Sequence, residues 1–250
     1  MRAQVKRVPT GIPGFDKLVE GGFPENFVIL LAGSPGTGKS IFSLEYIYNG
    51  ATMFNENGVY ITLEQSVDNL KKQALQFGWD FDELEKKGKV IIEHVEEFDM
   101  DWTLKRLKNL VEKFRAKRVV LDSLSGVRAQ LSIKKELMSQ IKGASSQQHG
   151  AYLQIAPDRE GLRKIIWDIF MKLSQCNCTT LIPSEVPTGS NQLSNDGVSE
   201  FACDGIVELR MVPVMKMIRM RIAVHKMRQT RIDPVPRDFD FTEKGIIVLG

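Results

Sequence analysis

Short apolar runs alternate with amphipathic stretches along this chain, the pattern of a mostly parallel sheet covered by helices. Phe27 to Ala32 is a continuous apolar run, too short for a helix and bounded by Gly33, and it predicts a buried central strand. A helix is expected from about Lys39 to Met53, then a strand over Val59 to Leu63. Leu70, Ala74 and Phe77 recur at helical spacing within Val67 to Phe77. Val90 to Ile92 predicts another strand. Trp102, Leu104, Leu107, Leu110, Val111 and Phe114 mark a helix that ends before a strand at Val119 to Leu121. Leu162, Ile165, Ile166, Ile169, Phe170 and Leu173 fall on one helical stripe leading into Thr180 to Ile182. Such stripes are the core-facing sides of helices.

After Asp204 the character changes. Ile206 to Leu209, Ile218 to Val224 and Ile246 to Leu249 read as strands with no long helix between them, predicting an antiparallel extension of the sheet. Gly126 to Pro157 and Val186 to Phe201 fit no regular pattern. No repeat or low-complexity tract interrupts the chain, so residues 1–250 are read as a single domain.

Composition narrows the class. With 42% hydrophobic and 26% charged residues in 250, the chain reads as an ordinary globular α/β protein with enough core to need no disulfide or metal staple. Cys176, Cys178 and Cys203 are too few and too oddly spaced for a disulfide framework, and no second ligand pair accompanies Cys176 and Cys178 to make a zinc site. His94, His149 and His225 are scattered and read as packing or surface residues. Met1 to Thr10 is basic but lacks the apolar run of a signal peptide, and no stretch approaches the roughly 20 apolar residues that span a membrane. A cytoplasmic, membrane-free location is expected. The net charge of +3 permits nucleic-acid binding without arguing for it.

Gly33-Ser34-Pro35-Gly36-Thr37-Gly38-Lys39-Ser40 matches the phosphate-loop pattern, between a predicted strand and a predicted helix. Glycine is needed because backbone N–H groups must converge on phosphate oxygens through positive φ, with no Cβ in the way. The helix N-terminus adds free amides and dipole to the same anion site. Lys39 is expected to reach the β- and γ-phosphates and the Ser40 hydroxyl to ligate Mg²⁺. Asp122, closing the apolar run Val119-Val120-Leu121, is the expected acidic partner of the magnesium shell. Glu64, closing the Tyr60-Ile61-Thr62-Leu63 strand, stands where a water-activating carboxylate is useful, though spacing alone fits a solvated loop acid equally well.

These residues resemble the KaiC-type branch of the RecA/RadA superfamily of ATPases. Thr10-Gly11-Ile12-Pro13-Gly14-Phe15-Asp16-Lys17-Leu18 and Gly21-Gly22-Phe23-Pro24 resemble that branch's opening. The phosphate loop, Thr62-Leu63-Glu64-Gln65, the Asp122 strand, Ser184-Glu185, Cys203-Asp204-Gly205-Ile206 and His225-Lys226-Met227-Arg228-Gln229-Thr230 follow in family order, from about Arg7 to Leu249. The resemblance implies an α/β, RecA-like P-loop NTPase core: a mostly parallel sheet flanked by helices, with C-terminal antiparallel strands. It also implies a homo-oligomer, usually a hexameric ring, with ATP and Mg²⁺ at subunit boundaries. Glu64 then matches the first of two adjacent catalytic acids, while Gln65 replaces the second. Lys226 and Arg228 match bases that reach a neighbour's γ-phosphate in trans, and Glu185 matches a polar residue sensing that phosphate. Two departures stand out. Gln229 replaces a glycine after Lys-Met-Arg. This chain is also a single copy, with Glu200-Phe201 where the tandemly duplicated clock proteins carry a phosphorylated Ser-Thr pair, so autokinase activity is not expected.

The leading expectation is a slow, Mg-dependent ATPase acting as an oligomeric regulatory switch with a protein partner. The alternative is a recombinase paralogue binding single-stranded DNA. Between Gly126 and Lys164, seven bases (Arg128, Lys134, Lys135, Lys142, Arg159, Arg163, Lys164) face three acids (Glu136, Asp158, Glu160), although Tyr152 is the only aromatic placed to stack mid-segment. A scaffold that holds ATP with little turnover is the third reading.

Overall fold

The computed structural model describes residues 5–97, 99–127, 129–130, 159–215 and 217–250. A two-stranded ribbon, β1 (Arg7–Val8) with β2 (Phe23–Pro24), precedes the main sheet. Among the described residues the main sheet has nine strands in the order β11-β10-β9-β8-β3-β7-β6-β4-β5. Its parallel part comprises β3 (Val28–Gly33), β4 (Gly58–Thr62), β5 (Val90–His94), β6 (Arg118–Asp122), β7 (Thr179–Glu185) and β8 (Gly205–Val214). The antiparallel part adds β9 (Met217–Met227), β10 (Arg237–Thr242) and β11 (Gly245–Val248). All six residues of β3 are buried, as its uninterrupted apolar run requires of a strand flanked on both sides and covered on both faces.

Helices α1 (Lys39–Met53), α2 (Val67–Leu75), α3 (Phe81–Lys86), α4 (Met100–Phe114), α5 (Arg159–Leu173) and the single turn α6 (Ser199–Ala202) connect the strands. Their starts are written in side chains. Ser66 accepts from the Asn69 amide, Asp80 from Glu83 and Asp99 from Trp102, each satisfying a donor that the first helical turn leaves open. Two cores result. Phe42, Tyr46 and Ile47 of α1 pack with Leu70, Phe81, Phe239 and Ile246 on one face. Leu107 and Leu110 of α4 pack with Ile166, Ile169 and Phe170 of α5 on the other. Among the described residues no helix is long and apolar enough to cross a membrane.

The predicted strands are all present with boundaries displaced by a few residues, and α1 covers Lys39 to Met53 as expected. Strand β10 and helix α3 lie where no element was predicted. Most of Gly126 to Pro157 falls outside the described residues; Leu124 to Val127 are helical, and Val186 to Val198 runs as bends and turns into α6. What matters for function is the register. Gly33 stands level with Glu185 and Leu209, and Thr62 with Asp122, so the carboxyl ends of the parallel strands gather at one edge. Open α/β sheets bind ligands at that edge.

Candidate active site

The loop between β3 and α1 is shaped by its small residues. Gly36 and Gly38 have φ of 81° and 90°, a region that side chains disfavour. A Cβ on Gly38 would also stand 2.4 Å from the ring of Phe241. Thr37 braces the turn, its Oγ1 donating to the Ser34 carbonyl at 2.8 Å. Lys39 is 8% exposed and its Nζ donates to the carbonyls of Gly33 (2.9 Å) and Ser34 (3.0 Å), which holds the ammonium inside the loop. Burial lowers the Lys39 pKa, opposed by the charges of Glu185, Asp122 and Glu64.

Asp122 is 5% exposed at the end of β6. Its Oδ2 accepts from the Tyr60 hydroxyl and from Ser40 Oγ at 3.3 Å. Burial pushes its pKa up to about 6; the Tyr60 hydrogen bond pulls it back and the nearby Glu64 charge raises it again. Glu64 lies just past β4, where the Leu63 amide donates to the Asp122 carbonyl at 2.6 Å and Ser123 Oγ donates to Glu64 Oε1. The Glu185 amide donates to Ser125 Oγ at 2.8 Å.

Lys39, Ser40, Glu64, Asp122 and Glu185 thus line one cleft of about 290 Å³. Pro35, Gly36, Gly38, Ile41, Gln65, Gln73, Ser123 and Phe241 complete it. The sequence reading missed Tyr60, Ser123, Gln73 and Phe241. None lies in the phosphate-loop pattern; Ser123, Gln73 and Phe241 enter the cleft through tertiary placement, and Tyr60 lies behind it, bonded to Asp122. The donor set suits Mg²⁺, which takes hard oxygen ligands and one or two protein groups beside substrate phosphates. Ser40 and Asp122 supply a hydroxyl and a carboxylate within hydrogen-bonding distance of each other.

Lys226 and Arg228 lie elsewhere. Lys226 falls inside β9, not past its end, and pairs with Ile206, while the Arg228 amide donates to Asp204, whose own amide donates to Val28. Arg228 is thus level with Val28, five residues back along β3 from Gly33, or roughly 16 Å at the rise of a strand. Lys226 Nζ donates to the carbonyls of Glu200 (3.0 Å) and Cys203 (2.7 Å), and Arg228 pairs with Asp204 at 2.8 Å. Neither lines the cleft of its own chain.

The family model for the KaiC ATPase matches residues 8–147 and 150–250. The chain belongs to the KaiC ATPase family. A UPF0273 protein of Thermotoga maritima is 33% identical, the alignment covering 98% of this chain and 96% of that protein. A UPF0273 protein of Methanocaldococcus jannaschii is 32% identical over 98% of this chain and 96% of its own length. The circadian clock oscillator protein KaiC of Thermostichus vulcanus is 31% identical over 91% of this chain, which spans only 41% of that longer protein. Among solved structures, a KaiC-like protein from Pyrococcus horikoshii OT3 superposes with a TM-score of 0.83 at 32% identity, covering 99% of this chain and 100% of that one. This KaiC-family chain therefore has the RecA-like P-loop fold expected from its motifs, and its family is one of nucleotide-binding ATPases. Those relatives do not favour the recombinase alternative, and much of the basic segment on which it drew lies outside the described residues.

Proposed function

We propose that this KaiC-family chain is a Mg²⁺-dependent ATP hydrolase that works as an oligomeric regulatory switch, with ATP held where subunits meet. The observation that carries the reading is the meeting of Lys39, Ser40, Asp122 and Glu64 in a single cleft at the carboxyl edge of the sheet. In this reading the amides of Gly33 to Ser40 and the start of α1 bind the phosphates, and Lys39 turns from the Gly33 and Ser34 carbonyls to the β- and γ-oxygens. Ser40 and Asp122 hold the cation. The cation held there would supply positive charge against that developing on the phosphates. Glu64, steadied by Ser123, orients a water and accepts its proton. With Gln65 beside it, a single carboxylate does this work, and slow turnover follows. Phe241, which lies against Gly38 and lines the cleft, offers an apolar face to the nucleotide. Lys226 and Arg228 act on a neighbour's cleft.

The test is calorimetric. Lys39→Ala removes a charged hydrogen-bonding partner from a buried site and is expected to weaken Mg-ATP binding by about 2 to 4 kcal/mol with the fold intact. Equal affinity in wild type and variant would refute the assignment of the site.

A further inference from the structure

A tyrosine in the middle of a fully buried strand must find a partner for its hydroxyl, because an unpaired buried O–H costs more than a phenylalanine would. Tyr60 is 0% exposed and pairs with Val120 across β4 and β6. Its hydroxyl donates to Asp122 Oδ2, the oxygen that also receives Ser40 Oγ at 3.3 Å. Among the described residues no hydrogen bond reaches Oδ1. The terminal torsion of an aspartate is broad and roughly two-fold, so the carboxylate plane is set by its donors and not by its rotamer. Without the tyrosine, Ser40 would be the single donor, at a distance near the long end of useful hydrogen bonds. The nearest backbone is already fixed, since the Leu63 amide donates to the Asp122 carbonyl. The side-chain plane is the remaining freedom, and Tyr60 removes it.

We propose that Tyr60 is a positioning residue for the divalent cation: its hydroxyl clamps Oδ2 of Asp122 and leaves Oδ1 available as the metal-facing oxygen. The inference rests on the reading of Ser40 and Asp122 as the cation's protein ligands. It differs from the role expected of a core aromatic in one measurable respect. A packing tyrosine supports the fold and leaves metal affinity untouched, whereas a clamp governs metal affinity and leaves the binding of metal-free nucleotide alone, because Tyr60 does not line the cleft.

Tyr60→Phe keeps the ring and deletes the clamp. Two titrations are compared with wild type: ATP in the presence of EDTA by calorimetry, and Mn²⁺ into the protein saturated with a non-hydrolysable ATP analogue, followed by electron paramagnetic resonance. Metal-free affinity is expected to stay within about two-fold, while Mn²⁺ affinity falls about 10- to 100-fold, the range for a hydrogen bond to a charged group. Unchanged Mn²⁺ affinity with a lowered melting temperature would overturn the proposal and leave Tyr60 a packing residue. Ser40→Ala separates the two levels of inference. If it leaves Mn²⁺ affinity intact, the cation site itself is wrong and the clamp falls with it. If it weakens Mn²⁺ while Tyr60→Phe does not, the clamp alone is wrong. Should Tyr60→Phe not fold, the wild-type chain carries the test. With its four tyrosines ¹³Cζ-labelled, adding Mg²⁺ to the nucleotide-bound protein should shift the resonance of the buried, carboxylate-bonded tyrosine. No shift would refute the idea.

Discussion

Glu45 offers a prediction whose size follows from its surroundings. It sits in α1, the helix that begins with Lys39 and Ser40, and is 2% exposed. Its Oε2 accepts from the Ile246 amide of β11 at 2.8 Å, and its carboxyl lies where a Cβ on Gly245 would come within 2.7 Å. Burial pushes its pKa up to about 8, against an ordinary 4.5, with the Ile246 and Asn49 hydrogen bonds only partly opposing. Between those two values the folded chain keeps a proton that the unfolded chain has lost, so stability falls as pH rises. The contribution is fully present below pH 4.5 and gone above about 8. A difference of about 3.5 in pKa at 1.36 kcal/mol per unit corresponds to about 5 kcal/mol. Glu45→Gln keeps an acceptor for Ile246 and cannot titrate. Urea unfolding at fixed protein concentration, from pH 5 to pH 9, should show wild type losing stability relative to the variant along that curve. A wild-type-minus-variant difference that is flat across the range would refute the account of Glu45 as a carboxyl whose burial outweighs its hydrogen bonds. The loss bears on the cleft as well, since β11 pairs with β10, which carries Phe241.

Glu64→Gln keeps the shape of the side chain but removes the proton acceptor, so phosphate release is expected to fall about 100-fold or more while ATP affinity persists; equal turnover would move the role elsewhere, with Glu185 the next carboxylate in the cleft. The double variant Lys226→Ala/Arg228→Ala is expected to bind ATP and lose about 10³ or more in turnover. Mixing it with Lys39→Ala should restore part of the activity, because mixed assemblies contain interfaces with both halves intact. Loss without rescue, in a mixture shown by mass photometry to exchange subunits, would place the bases in cis; no loss would make them surface residues.

The parts legible in the sequence were those governed by local rules. The phosphate loop announces itself because backbone approach to phosphate demands glycine at fixed places, and α1 begins where that loop ends. The central strands announce themselves because strands covered on both faces are apolar at every position. Strand β10 does not: Arg237-Asp238-Phe239-Asp240-Phe241-Thr242 is largely charged, and what makes it a strand is pairing with β9 and β11, with only Phe239 deeply buried. Its alternation of Asp and Phe was the available signal. Helix α3 is too short for periodicity, and its cue was Asp80 followed three residues on by Glu83, a capping arrangement. Tyr60 read as strand filler because its partner lies 62 residues away, on a neighbouring strand. Lys226 read as a residue beyond a strand because the apolar run stops at Val224, yet β9 continues to Met227 by pairing with Gly205.

The charges in the cleft bear on whether one subunit suffices. Of the described residues lining it, Lys39 is the sole cation, against Glu64, Asp122 and Glu185, so these residues bring one positive and three negative charges to a site meant for a polyphosphate. Burial lowers the Lys39 pKa, opposed by the charges of those three carboxylates, and raises that of Asp122, with the Glu64 charge adding to the rise. A divalent cation contributes two charges, which with Lys39 balance the three carboxylates and leave the bound nucleotide's own negative charge uncompensated. Hydrolysis builds further charge on the leaving phosphate, and a water-poor cleft penalises it steeply. The bases that would answer it cannot come from this chain's own Lys226 and Arg228, which stand at the far edge of the sheet, engaged by Glu200, Cys203 and Asp204. Those contacts are to two carbonyls and one surface carboxylate. Arg228 is half-exposed in its pair with Asp204, and a pair of that kind is worth about 1 kcal/mol, so it is weakly held where it stands. In the proposed reading a second copy would present the Lys226–Arg228 end of its β9 to this cleft and supply positive charge there, which is the physical argument for proposing an ATP site shared between subunits.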